Sequence, residues 1–131
     1  VRRSKKLYVN YVCPKCFQQL NKCTCDIFPP YELIMIDEKI QYHIRELNKK
    51  GYATWVCCES HGVGEDIYIG LNTTKEMLET KLPSGFRFDK GQYIRCSVPR
   101  DCENPEEFKD QKLAELKDWI DQLPKNKSLV R

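Results

Sequence analysis

Residues 7–12, LYVNYV, alternate apolar and polar positions, the two-residue period of a half-buried strand. The period lengthens to that of a helix over 37–50, where Ile40, Ile44 and Leu47 recur on one face. Asp37 stands in the capping position of that helix and Gly51 where a helix normally ends. Residues 52–57, YATWVC, are β-branched and aromatic and predict a strand. Another covers 67–71, with Ile67, Ile69 and Leu71 on one face and Tyr68 on the other. TTKEMLETKL predicts a short helix, with Thr73 and Glu76 spaced as a capping box. FRF (86–88) and QYIRCSV (92–98) flank Asp89-Lys90-Gly91, a hairpin loop that would set Arg87 opposite Tyr93 and Phe86 opposite Ile94. In the last helix Asn104 caps, Pro105 takes the first position and Glu107 completes a capping box. Leu113, Leu116, Ile120 and Leu123 form its apolar stripe, and Pro124 ends it.

This order predicts an α+β fold, a mainly antiparallel sheet covered by helices on one face, with an N-terminal four-cysteine zinc knuckle. The 131 residues read as a single domain: a knuckle with its leading strand over 7–26, an α+β core over 32–123 and a basic tail over 124–131. A chain of this size buries roughly two-thirds of its unfolded surface.

Composition narrows the class. With 40% hydrophobic and 31% charged residues the chain is of ordinary globular type. No apolar run approaches the ~18 residues of a membrane span, so no membrane partner is expected. No signal-peptide pattern is visible, and a start at Val1 is compatible with a trimmed leader. The net charge of +3 is mild, but VRRSKK and KNKSLVR concentrate basic residues at the ends, where they solvate the termini or meet an anionic partner such as RNA. Oligomeric state is not legible.

Eight cysteines are many for this length, and without a secretory signal tight pairs read as metal ligands before disulfides, which points to the cytoplasm. Cys13 and Cys16 are spaced C-x-x-C, and Cys23 and Cys25 follow as C-x-C. Four thiolates in thirteen residues match a tetrahedral structural zinc. A four-thiolate set also suits an iron–sulfur cluster, and a grouping of Cys13 and Cys16 with Cys57 or Cys58 and His61 stays open.

WVCCESHGVGED, residues 55–66, places adjacent cysteines at a strand end, so the two point to opposite faces. With Trp55 and Cys57 facing the core, Cys58 points toward Glu59, Ser60 and His61, and Gly62 and Gly64 allow a ligand close to the main chain. Three uses fit: a nucleophilic Cys–His pair, a second metal held by Cys58, His61 and Cys96 or Cys102, or a binding loop. The sheet favours the last. Tyr68, Arg87, Tyr93 and Arg95 lie opposite the apolar face, a set of rings and guanidinium groups on which bases stack and phosphates pair. The plain alternative is a solvated face with cross-strand Arg–Tyr pairs.

IDEKIQYHIRELNKKGYATWVCCESH (36–61) resembles a stretch of short, uncharacterised bacterial and phage proteins, in which a helix ending Leu-Asn-x-Lys-Gly-Tyr-x-Thr leads to a strand closing with Cys-Cys-Ser-Gly-His. More remotely it resembles the wybutosine-synthesis tRNA methyltransferase family. Asp37, Asn48, Tyr52, Thr54, Cys57, Cys58 and His61 match the pattern, whereas Glu59 and Ser60 replace its Ser-Gly and the methyltransferase arginine is absent. The resemblance implies an α+β core with a site at the Cys-Cys loop.

The leading expectation is a non-enzymatic, zinc-containing protein that binds, and by binding sequesters, a small nucleotide-like or anionic ligand. Trp55, Cys58, His61, Tyr68, Arg87, Tyr93 and Arg95 would form its ligand site, with Lys90 nearby, and Cys13, Cys16, Cys23 and Cys25 its metal site. The alternatives are a tRNA-modifying, methyltransferase-like enzyme and a zinc-knuckle adaptor that uses an exposed helix face around Trp119.

Overall fold

The computed structural model describes residues 10–19, 22–25 and 34–126. Its first element is a two-stranded antiparallel ribbon of β1 (Tyr11–Val12) and β2 (Ile34–Met35). Of the strand expected over 7–12, residues 7–9 lie outside the described residues, as do both basic ends, 1–9 and 127–131. A 3-10 turn over Glu38–Ile40 runs into α1 (Gln41–Lys49). Then come β3 (Thr54–Cys58), β4 (Asp66–Leu71), α2 (Lys75–Leu78), β5 (Phe86–Asp89), β6 (Tyr93–Ser97) and α3 (Pro105–Gln122). The larger sheet has the order β3-β4-β6-β5, and every neighbouring pair is antiparallel. The fold is α+β, as the pattern predicted.

Alternation decides which face is covered. Ile67, Ile69, Leu71, Ile94 and Cys96 point to one side, where they are buried with Ile40, Ile44 and Leu47 and with Leu113, Leu116 and Ile120 of α3. Each such aliphatic side chain contributes about 1.5–3 kcal/mol on burial. Trp119 joins this core: only 8% exposed, it donates its indole N–H to Thr80 Oγ1 at 3.2 Å and meets Phe88 edge-on. The expected exposed face around Trp119 is therefore overturned, because α3 turns that residue inward.

The joint between α1 and β3 is tied by side chains. Gly51, at φ +90, closes the helix, and Asn48 donates to Ile44 O at 2.8 Å and to Thr54 Oγ1 at 2.9 Å. Tyr52 is buried and its hydroxyl donates to Pro124 O at 2.7 Å. Lys50 Nζ donates to the carbonyls of Ile120, Asp121 and Leu123 at 2.6, 3.0 and 2.7 Å, capping the end of α3.

Local details differ from expectation. Asp37 makes no cap hydrogen bond, because its carboxylate turns to the loop after β3. Thr74, not Thr73, caps α2, while Thr73 donates to Gly91 O. In the hairpin Arg87 faces Arg95 and Phe86 faces Cys96. Lys90 and Gly91 both adopt positive φ, so the turn starts after Asp89 and closes with Gln92 N–H to Asp89 O at 3.1 Å. The new register moves each partner by two residues, so the faces are unchanged.

Candidate metal centre and open sheet face

Four sulfurs meet where the ribbon turns. Cys13 follows β1 and is fully buried; the chain then folds back through Pro14–Cys16, with Phe17 N–H on Cys13 O at 2.9 Å and Phe17 at φ +61. The Sγ atoms of Cys13, Cys16, Cys23 and Cys25 all lie within 4.8 Å of one another. A tetrahedral ion with ~2.3 Å bonds needs sulfurs ~3.8 Å apart, so this cluster can hold one metal ion with little movement. Backbone donors already face the sulfurs: Lys15 N–H to Cys13 at 3.3 Å and Cys25 N–H to Cys23 at 3.2 Å. Burial raises the Cys13 thiol, but the N–H groups of Cys16 and Lys15 and the neighbouring thiols bring it down to about 7. Cys23 is pushed up to about 12, by burial and by its sulfur neighbours. The alternative grouping with Cys57 or Cys58 is not formed, and none of the eight cysteines is in a disulfide, Cys96 and Cys102 included.

The loop after β3 has its own cluster. Cys57 packs against the core and is pushed up to about 12 by burial, whereas Cys58 points to the other face, opposite Tyr68. Trp55 does not face the core as expected. A bulge between Thr54 and Val56 turns it out, leaving it 49% exposed. Ser60 is fully buried at φ +69, its hydroxyl donating to Gly62 O at 3.0 Å and accepting Gly62 N–H at 3.3 Å. That turn sets His61 beside Asp37, with Nε2 3.5 Å from Asp37 Oδ2. Asp37, Cys58 and His61 present ligand atoms within 4.8 Å of one another. Cys96 is not among them; it is buried in the core.

On the outer sheet face, Tyr68 pairs with Arg95 and Gly70 with Tyr93. The Arg95 guanidinium lies 5.1 Å from the Tyr68 ring centre and 4.7 Å from that of Tyr93. Trp55 meets Tyr93 edge-on at 6.3 Å. Gly70 makes room for this, since a Cβ there would stand 2.6 Å from Val56 Cγ1 and 2.7 Å from Trp55 Nε1. Charge is balanced within the face: Arg95 pairs with Asp89 at 2.9 Å and Asp66 at 3.5 Å, and Arg87 approaches Asp66 at 3.8 Å. An open hollow of ≈ 390 Å³ lies beside it, lined by Cys58, Gly64, Glu65, Asp66, Tyr68 and Arg95.

Trp55, Tyr68, Arg87, Tyr93 and Arg95 thus share one face, Cys58 lies at its edge and His61 beyond. Sequence reasoning missed Asp37 as a partner of this loop, and Asp66 and Asp89 as counter-charges. It also missed Arg100, whose guanidinium lies against Gly64 and has no carboxylate partner among the described residues. The alternation of β4 and β6 would have placed Asp66; nothing local marks Arg100. No protein-family model matches this chain, and no significant match to it was found among curated proteins or solved structures. No described helix is long and apolar enough to cross a membrane.

Proposed function

We propose that the protein is a zinc-binding module whose open sheet face captures a nucleotide-like ligand by stacking. One observation carries the reading: Trp55, Tyr68, Tyr93 and Arg95 stand together on the sheet face opposite the helix-packed core. Base–aromatic stacking contributes roughly 1–3 kcal/mol per base. Because Arg87 and Arg95 are already matched by Asp66 and Asp89, the face favours a ring with one anionic group over a polyphosphate. The half-exposed Arg87, and Arg100 beside Gly64, which has no carboxylate partner among the described residues, are cations available to such a group. Zinc is the ion assigned to the four cysteines, since a compact all-thiolate set suits its tetrahedral preference.

Trp55 and Trp119 are the only tryptophans, and Trp119 is buried, so quenching reports on the face. Titration with the four nucleoside monophosphates should quench Trp55, and Tyr93→Ala and Arg95→Ala should each weaken binding about tenfold. Unchanged fluorescence and no calorimetric heat with any of them would sink this reading. Retention of S-adenosylmethionine in its place would turn the assignment toward methyl transfer.

A further inference from the structure

We propose that Asp37, Cys58 and His61 form a second metal site, distinct from the four-cysteine knuckle, that holds a zinc ion with its fourth position open. The three side chains come from separate parts of the fold. Asp37 precedes the 3-10 turn, Cys58 is the last residue of β3, and His61 stands on the loop beyond. Their donor atoms nonetheless lie within 4.8 Å of one another. A sulfur, an imidazole nitrogen and a carboxylate oxygen form a mixed set suited to zinc, whereas magnesium and calcium prefer oxygen alone.

The cluster is braced from outside. Asp37 Oδ2 accepts Glu59 N–H at 3.3 Å, and Cys58 Sγ accepts Ser60 N–H at 3.4 Å. His61 N–H donates to Glu65 Oε2 at 2.9 Å, which sets the loop that aims the ring. Glu59 in turn accepts Lys39 N–H at 3.3 Å and lies 3.9 Å from the buried Lys109. Holding ligands by further hydrogen bonds is the usual architecture around protein-bound metals.

Three protein donors leave one tetrahedral position for water or a ligand oxygen, the arrangement of reactive rather than structural zinc. Cys58 also lines the hollow that holds Tyr68 and Arg95, so the open position adjoins the sheet face. The inference does not depend on nucleotide binding, because the probe is the metal alone.

Native mass spectrometry of reduced full-length protein titrated with zinc should show two ions per chain. Cys58→Ser and His61→Ala should each lower the count by one, with unchanged circular dichroism, and Cys102→Ser, outside both clusters, should not. Cys16→Ser should remove the other ion and leave this one. Cobalt titration should add a second set of visible bands in the wild type that Cys58→Ser lacks. Saturation at one ion, or a count in Cys58→Ser equal to the wild type, overturns the site.

Discussion

His43 sits on the buried side of α1, and its Nε2 lies 2.7 Å from the carbonyl oxygen of Leu113. Facing a carbonyl, Nε2 carries a proton and donates it, and burial lowers the pKa of the ring from the ordinary 6.5, favouring the neutral form. The unfolded chain takes up the proton near pH 6.5 while the folded chain resists it. Its stabilising effect is full above that pH and lost as pH falls toward the lowered folded value. Urea melts should show stability falling by about 1.4 kcal/mol per pH unit below 6.5, a slope that His43→Leu flattens. The same scale separates what the sequence made legible at the sites. Cys13, Cys16, Cys23 and Cys25 announce themselves by spacing, because ligands of a compact knuckle must be near in sequence. Asp37 read as a helix cap, since capping and long-range pairing ask for the same short carboxylate.

Lys50 joins two helices. Its ammonium takes three carbonyls at the end of α3, a charge-assisted cap that completes the free acceptors of that helix and meets its negative pole. Lys50→Met should destabilise the protein by about 1.5–3 kcal/mol, measured by chemical denaturation, and loosen hydrogen-exchange protection first at residues 116–122. Asn48, Tyr52 and Thr54 belong to the same joint, so packing accounts for these three residues. Elements were well marked where one period ran long, as in α3, and poorly where a single residue broke it. The β3 bulge has no glycine or proline to announce it, and it alone moved Trp55 from the expected core to the open face. The hairpin faces were still read correctly, because a register change of two residues keeps every side chain on its side.

Across the whole molecule, the knuckle and the sheet face are not independent. Phe17, presented by the knuckle turn, packs against the core, and with Ile34, Met35, Trp55 and Val56 it lines a cleft of ≈ 350 Å³ between ribbon and β3. Among the described residues the ribbon pairs two residues on each strand, little to hold the turn in place. A metal ion on the four thiolates would supply that constraint; in small zinc peptides the ion contributes on the order of 10 kcal/mol. One measurement bears most directly on this account: the thermal melt of reduced protein before and after metal removal with a strong chelator, with zinc content read on the same samples. The account predicts stoichiometric zinc at the knuckle, a large drop in Tm on its removal, and recovery when zinc but not magnesium is returned. A protein free of metal with an unchanged melt would contradict it.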